Sequence, residues 1–274
     1  MNISRVIIAF DQISFGIMKK IMNILLLLAV MAAAFFGCSA ITGFIAATSP
    51  ANVTTVAAEL PSAEKNGKLI RVPYIYQKHG YPNGCEPVCA VMALWYYGIE
   101  TDVNEFIDGY LPLAPAPKVG KQGPDPDFVF CGDPREKTGW GCYAPVITRA
   151  LEGILSDSGY TVTEHHGESL GRLCQMYIDK DIPVIIWATV DMTDTVGEKY
   201  YASWTTEDGK EIVYNRKLHC LVLVGYDDES YYFNDPMVRG RDGKECVSYP
   251  REAAEKAYSH LGMQSIAVIP LIDK

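Results

Sequence analysis

Four side chains in this sequence, Gln77, Cys85, His219 and Asp235, are of the types that thiol chemistry at a carbonyl group requires. A cysteine nucleophile needs a base that accepts its proton and a third group that holds the base in one tautomer. His219 and Asp235 suit these two roles. The Gln77 amide and the Cys85 backbone N–H are donors that could stabilise a developing oxyanion. The set therefore predicts a catalytic site with Cys85 as nucleophile.

Cys85 lies where a turn ends and an apolar run of helical spacing, residues 88–97, begins. This pattern places the thiol at a helix N-terminus, where unpaired N–H groups and roughly half a positive charge favour the thiolate. We therefore expect the pKa of Cys85 to lie below the ordinary value of about 8.5. We also expect the thiol to lie at the surface of a cleft.

His219 and Asp235 each lie at the edge of a segment with a β pattern, 217–226 and 231–234. The residues between the two segments, 227–230, are typical of a tight turn. A hairpin would bring both side chains to the same end of a sheet. Gln77 follows a strand-like segment, 69–76.

Each of these residues also has a structural interpretation, as a core side chain or a turn former, but all four in this order and context favour catalysis. A metal site is the main alternative, because Cys85 and Cys89 share a helix face and His219 and Cys220 are adjacent. Adjacent strand residues point to opposite faces, which disfavours one metal bound to both. The catalytic interpretation requires no cofactor.

The remaining pattern predicts an α+β domain, with helices first and a sheet afterwards. Residues 111–141 contain six prolines and five glycines, which indicates a long loop that walls the cleft. Cys131 and Cys142 flank part of it and are the pair best placed for a disulfide, although free thiols are favoured. Cys89, Cys174 and Cys220 are in apolar settings and are expected to be buried. Trp140, Tyr143, Trp187 and Trp204 line a substrate groove or belong to the core.

The helix that starts near Cys85 is predicted to cover residues 86–97. Other helices are predicted at 101–110, with Thr101 as the cap, 144–155 and 168–178. Other strands are predicted at 160–164, 183–190 and 264–271, together with a hairpin across 207–210.

The N-terminal 47 residues are predicted to be an extension plus a signal peptide or membrane anchor, because residues 21–47 carry no charged side chain and are long enough to span a bilayer. Cys38 lies in a sequence similar to a bacterial lipoprotein cleavage box. Residues 48–67 are expected to be a linker and 68–274 the folded domain. The formal net charge of −9 disfavours nucleic acid as a partner.

Several segments together resemble the free-standing branch of the bacteriocin-processing (double-glycine leader) peptidases, a family of papain-like cysteine peptidases that are exported or membrane-anchored in bacteria. The resemblance runs from about residue 69 to the C-terminus. The segments are 72–77 (VPYIYQ), 81–90 (YPNGCEPVCA), 94–98 (LWYYG), 183–188 (PVIIWA), 219–227 (HCLVLVGYD) and 232–236 (YFNDP).

This resemblance implies a papain-like fold, with Cys85 as nucleophile, His219 as base, Asp235 as the residue that orients the base and Gln77 in the oxyanion hole. No transporter domain follows in this sequence, so the resemblance does not imply leader removal coupled to transport. The expected function is that of an extracytoplasmic cysteine peptidase that acts on peptides or proteins. A cell-wall peptide amidase or transpeptidase and a catalytically silent peptide-binding module are the alternatives.

Overall fold

The computed structural model describes residues 67–238 and 246–271. The predicted signal or anchor, Cys38 and all but the last residue of the predicted linker lie outside the described residues. Within the two described ranges, no helix is both long enough and apolar enough to cross a bilayer.

Helices and strands alternate in the first half of the described chain, and strands dominate the second half. The helices are α1 Cys85–Tyr96, α2 Val103–Tyr110, α3 Ala144–Ile154, α4 Leu170–Met176 and α5 Arg251–Ser259. The strands are β1 Lys68–Leu69, β2 Leu113–Ala114, β3 Phe130–Cys131, β4 Tyr160–His166, β5 Val184–Thr189, β6 Tyr201–Thr205, β7 Glu211–Asn215, β8 Leu218–Tyr226, β9 Ser230–Asn234, β10 Cys246–Pro250 and β11 Gln264–Pro270.

One antiparallel sheet organises the domain, in the order β10-β9-β8-β5-β11-β4, with β1 paired to β8. Its central strands β5 and β8 are apolar along almost their whole length and buried on both faces, as expected for strands covered on both sides. Helix α1 packs against β8 and β5, and α3 packs against β4 and β11. The predicted α+β class, with N-terminal helices on a C-terminal antiparallel sheet, is confirmed.

The strand predicted over 69–76 is wrong beyond its first residue. Only Lys68–Leu69 pairs with β8, although the Ile70 N–H still donates to Val224 O at 2.7 Å. Farther along, Pro73 has no N–H to donate. The Val72 carbonyl accepts a hydrogen bond from the Asn234 side chain at 2.9 Å. A side-chain hydrogen bond therefore takes the place of backbone strand pairing there.

Two helix boundaries also differ from the prediction. Asp102, not Thr101, caps α2: its side chain accepts from Glu105 N–H, and the Glu105 side chain accepts from Asp102 N–H, which is a capping box. Helix α4 is shorter than the predicted 168–178, because Ser169 caps its start and a 3₁₀ turn, Ile178–Lys180, follows its end.

The prediction missed β10 and α5 altogether. Helix α5 buries only Ala254, Ala257 and Tyr258 among its nine residues. A short helix with so few large apolar side chains gives a weak apolar pattern, even though its residues favour helix. Cys131 and Cys142, the pair best placed for a disulfide, are not bonded to each other. Both thiols are buried and free, like all the cysteines of the described residues.

Candidate active site

Cys85 is the first residue of α1, directly after the N-cap Gly84. A Cβ at position 84 would lie 2.8 Å from Tyr81 Cβ and 3.1 Å from Pro134 Cβ, so only glycine lets the turn approach the helix this closely. The Cys85 side chain belongs to the hydrophobic core and is only 7% exposed. The expectation of a thiol on a cleft surface is therefore wrong in this conformation.

His219 and Asp235 form a buried hydrogen-bonded pair, as the hairpin pattern predicted. Strand β8 carries His219 near its start and Asp235 directly follows β9. The two atoms His219 Nε2 and Asp235 Oδ1 are 2.7 Å apart, and each side chain is 1% exposed. The other ring nitrogen, Nδ1, is buried and has no hydrogen-bond partner among the described residues.

The Asp235 carboxyl is suited to remain ionised. Burial alone would raise its pKa, but the charge and hydrogen bond of His219, followed by the Met237 N–H and the Tyr249 hydroxyl, lower it below the ordinary value. The Met237 N–H donates to Oδ1 at 2.9 Å. An ionised carboxylate at this position would hold the imidazole by its Nε2–H, leaving Nδ1 as the nitrogen that can accept a proton.

The packing of α1 on β8 brings Cys85 to the start of the strand that carries His219. The backbone N–H of Cys220, the residue after His219, lies near enough to the Cys85 sulfur to act on the pKa of that thiol in the lowering direction. The structure thus brings three of the four predicted residues into one buried region.

The pKa of Cys85 is raised well above its ordinary value, which is opposite to the shift expected from the helix N-terminus. Burial is the main cause, and the neighbouring charge of Glu86 adds to it, whereas the Cys220 N–H acts in the lowering direction. Loss of solvent disfavours the thiolate more than the helix terminus favours it. The thiol therefore needs a partner that takes its proton.

Gln77 lies beside both parts of the site. Its backbone N–H donates to Pro236 O at 2.9 Å, and its carbonyl accepts from Tyr81 N–H at 2.8 Å. The side chain is buried, and its Nε2 donates to Pro82 O at 3.2 Å. An amide nitrogen carries two hydrogens, so one remains for a further acceptor. Oε1 has no partner among the described residues.

Glu86 is a residue of the site that the sequence analysis missed. It is fully buried, its Oε2 accepts from Cys85 Sγ at 3.2 Å, and its Oε1 accepts from Cys142 N–H at 2.9 Å. In the sequence, a glutamate in the first turn of a helix is a common surface residue favoured by the helix dipole. Its position inside an apolar helix start was the signal that could have identified it.

The loop over 111–141 contacts the residues around Cys85. Asn83 N–H donates to Pro134 O at 3.2 Å, and the residue after the loop, Cys142, binds Glu86. The loop also contains the short parallel pair of β2 and β3. The predicted location beside the nucleophile is therefore correct, whereas a role in substrate selection stays a prediction.

The aromatic residues proposed for a groove belong mainly to the core. Trp187 and Trp204 are buried, Trp140 packs edge-on against Trp204 and Tyr214, and Tyr143 stacks on Tyr214. Nor is the metal alternative supported by geometry: within the described ranges, no group of three or more His, Cys, Asp or Glu side chains is arranged to hold a metal ion.

Gly141 gives a direct test of the packing around Glu86. Its φ is +128°, and a Cβ there would clash with Glu86 Oε1 and lie 2.9 Å from the Tyr214 hydroxyl. Gly80 is a matched control, because its φ is +122° and a Cβ there would meet nothing within 4 Å. Both alanine variants carry the backbone strain, so Gly141→Ala should lose about 1–3 kcal/mol more free energy of unfolding in urea than Gly80→Ala. Equal losses would contradict a tightly packed Glu86.

Comparison with known proteins identifies the family. Residues 69–266 match the model of the Peptidase_C39 like family. Among curated proteins, the chain is similar to the uncharacterized protein YvpB of Bacillus subtilis (strain 168). The identity is 28% over 187 residues, which are 68% of this chain and 69% of YvpB.

One solved structure supports the same relationship, and a second gives a weaker match. A crystal structure of a protein named as a C39-like peptidase, from Bacillus anthracis, is similar over 74% of this chain and 97% of that chain, with 27% identity and a TM-score of 0.64. A double glycine motif protease from an AMS/PCAT transporter, crystallised with the leader peptide, matches over 74% of this chain and 94% of that chain, with 15% identity and a TM-score of 0.38.

The family match spans more than half of the chain, and the resemblance found in the sequence is confirmed. The fold is that of the papain-like cysteine peptidases. The chain belongs to the Peptidase_C39 like family.

Proposed function

We propose that this protein is an exported cysteine peptidase that hydrolyses peptide bonds in peptides or proteins through Cys85, His219, Asp235 and Gln77. The observation that carries the proposal is the buried pair of His219 Nε2 and Asp235 Oδ1 at 2.7 Å, with Nδ1 unpartnered among the described residues. An imidazole held at one nitrogen and free at the other is arranged to move a proton.

In this mechanism, the thiol proton moves from Cys85 to Nδ1 of His219, and the thiolate attacks the scissile carbonyl carbon. The oxyanion accepts hydrogen bonds from the Cys85 backbone N–H and the remaining Gln77 amide hydrogen. His219 then gives its proton to the leaving amine, which departs as the carbonyl re-forms. Water, deprotonated by His219, hydrolyses the thioester and restores the thiol.

One observation favours a second candidate, the catalytically silent peptide-binding module. Cys85 is only 7% exposed and burial raises its pKa, which disfavours the thiolate. The two candidates differ in the reactivity of this thiol, because only the peptidase needs His219 to activate it.

Alkylation of the full-length protein tests the nucleophile. Iodoacetamide should label Cys85 faster than the buried thiols of Cys89 and Cys220, as measured by peptide mapping. His219→Ala should slow labelling of Cys85 by about 10²-fold or more, the usual contribution of a positioned base. Unchanged labelling in His219→Ala would favour the silent module.

Asp235→Asn is the matched variant for the third member of the set. Oδ1 of an asparagine can still accept from both His219 and the Met237 N–H, the two partners of Oδ1 here. The loss of kcat in Asp235→Asn should therefore be smaller than the loss in His219→Ala. An equal loss would show that the charge itself is needed, and full activity in Asp235→Ala would remove the residue from the mechanism.

Substrate class is tested by incubating the protein with casein, a peptide library and purified peptidoglycan, with Cys85→Ala as the control. New amino termini from casein or the library, absent with the control, are expected. Products from peptidoglycan alone would instead assign the cell-wall peptide amidase or transpeptidase activity.

Export is supported by the uncharged run 21–47, which lies outside the described residues. Cells fed labelled palmitate should yield a labelled protein that Cys38→Ala does not, if the chain is a lipoprotein. A protein released into the medium with its N-terminus near residues 48–58 would show ordinary signal cleavage. A protein that keeps residues 1–47 and fractionates with the cytoplasm would contradict export.

A further inference from the structure

Glu86 is a buried acid that the mechanism above does not use. Its side chain is fully buried, and within the described residues no basic side chain forms a salt bridge with it. A carboxylate placed inside a protein without a counter-ion is costly. The position therefore calls for an explanation beyond packing.

The surrounding chain fixes the direction of both carboxyl oxygens. Oε1 accepts from Cys142 N–H at 2.9 Å, and the carbonyl of the same residue accepts from Trp187 Nε1 at 2.9 Å. Gly141 leaves no Cβ between the loop and the carboxyl. With Oε1 held on the loop, Oε2 is directed at the Cys85 sulfur, 3.2 Å away.

This contact admits two protonation states with opposite effects. An ionised Glu86 accepts the S–H bond and keeps the proton on sulfur. A neutral Glu86 presents an O–H that can donate to a thiolate. A thiolate and a carboxylate at this separation would repel each other strongly in a water-poor site, so the reactive thiolate requires the neutral acid.

We propose that Glu86 is a further catalytic residue, whose neutral carboxyl donates a hydrogen bond from Oε2 to the Cys85 thiolate and whose ionisation turns the nucleophile off. The inference rests on the proposed function, because it assigns a role at the same sulfur. When the S–H bond breaks, the thiol proton forms a bond to His219 Nδ1, while Glu86 keeps its own proton. When Glu86 loses that proton to solvent, the carboxylate accepts the S–H bond instead.

The environment of Glu86 places the loss of its proton near neutral pH. Burial raises the pKa of Glu86 to about 7, against the lowering effect of the Cys142 N–H. Burial also raises the pKa values of the Tyr214 phenol and of the thiols of Cys89, Cys131, Cys142 and Cys220, so these groups add no charge of their own near that pH. The titratable groups that interact electrostatically with Glu86 are the thiols of Cys85, Cys89, Cys131, Cys142 and Cys220, the phenol of Tyr214 and the imidazole of His219.

Glu86→Gln is the decisive variant, because a glutamine reproduces the neutral acid. Its Oε1 can accept from Cys142 N–H, and its Nε2 can donate to the thiolate, but it cannot ionise. Iodoacetamide labelling of Cys85 is measured in the full-length wild type and the variant from about pH 5.5 to about pH 8.5, on either side of the pKa. Both proteins keep His219, so the ratio of the two rates isolates the effect of the side chain at position 86.

The expected ratio of variant to wild-type labelling is near one at the acidic end, where Glu86 is protonated in the wild type. Above pH 7, the wild type gains a carboxylate beside the sulfur and the variant does not. The ratio should then rise at least about tenfold, the factor that corresponds to one pKa unit. A ratio that is constant with pH, at any level, or that falls as the pH rises, would overturn the proposal.

Glu255→Gln is the matched control, since Glu255 is a partly buried carboxyl that accepts from Leu170 N–H, Gly171 N–H and the Tyr231 hydroxyl. The ratio of the Cys85 labelling rate in Glu255→Gln to that in the wild type should stay constant with pH. If Glu86→Gln does not fold, the wild-type profile is the test: labelling should level off or fall above about pH 7, and a rate that keeps rising through about pH 8.5 overturns the proposal. Failure of the peptidase proposal has a different signature, namely labelling of Cys85 that is independent of His219.

Discussion

The packing of α1 against β8 is the contact on which the site depends. Residues 85–94 of the helix are buried, and β8 is buried along almost all of its length. Close-packed interiors leave little freedom for one element to shift against another. The contact therefore places Cys85 near Cys220, which lies at the start of the strand that carries His219.

Two buried carboxyl groups lie on either side of this contact, and their environments push their pKa values in opposite directions. Burial opposes ionisation of both. Asp235 has the His219 imidazole at 2.7 Å, and its pKa is lowered. Glu86 accepts hydrogen bonds from the Cys142 N–H and the Cys85 thiol, and its pKa is raised to about 7. Two pKa values pushed apart in this way are typical of sites in which one acid stays charged and another carries a proton.

The segment 111–141 links the nucleophile to a second, smaller sheet. Hydrogen bonds join it to Asn83 next to the site and, through Pro124, to the Trp204 indole of β6. Lys210, just before β7, pairs with Asp125 at 2.7 Å. The many prolines and glycines thus form a loop held at several points, because its polar backbone groups find partners on other elements.

The sequence by itself determined the α+β class, the helix that begins at the cysteine, the hairpin that joins His219 to Asp235 and the family to which the chain belongs. These follow from local periodicity, turn residues and motif spacing, which are properties of neighbouring positions. It also indicated that Cys174 and Cys220 would be buried, which holds.

Only the tertiary structure decided the charge state of the site. A helix N-terminus predicts a low pKa for Cys85, yet the surrounding core raises it, and a first-turn glutamate predicts a surface residue, yet Glu86 is fully buried. Desolvation and neighbouring charge depend on what other segments pack against a residue, and that information is not contained in the residues next to it.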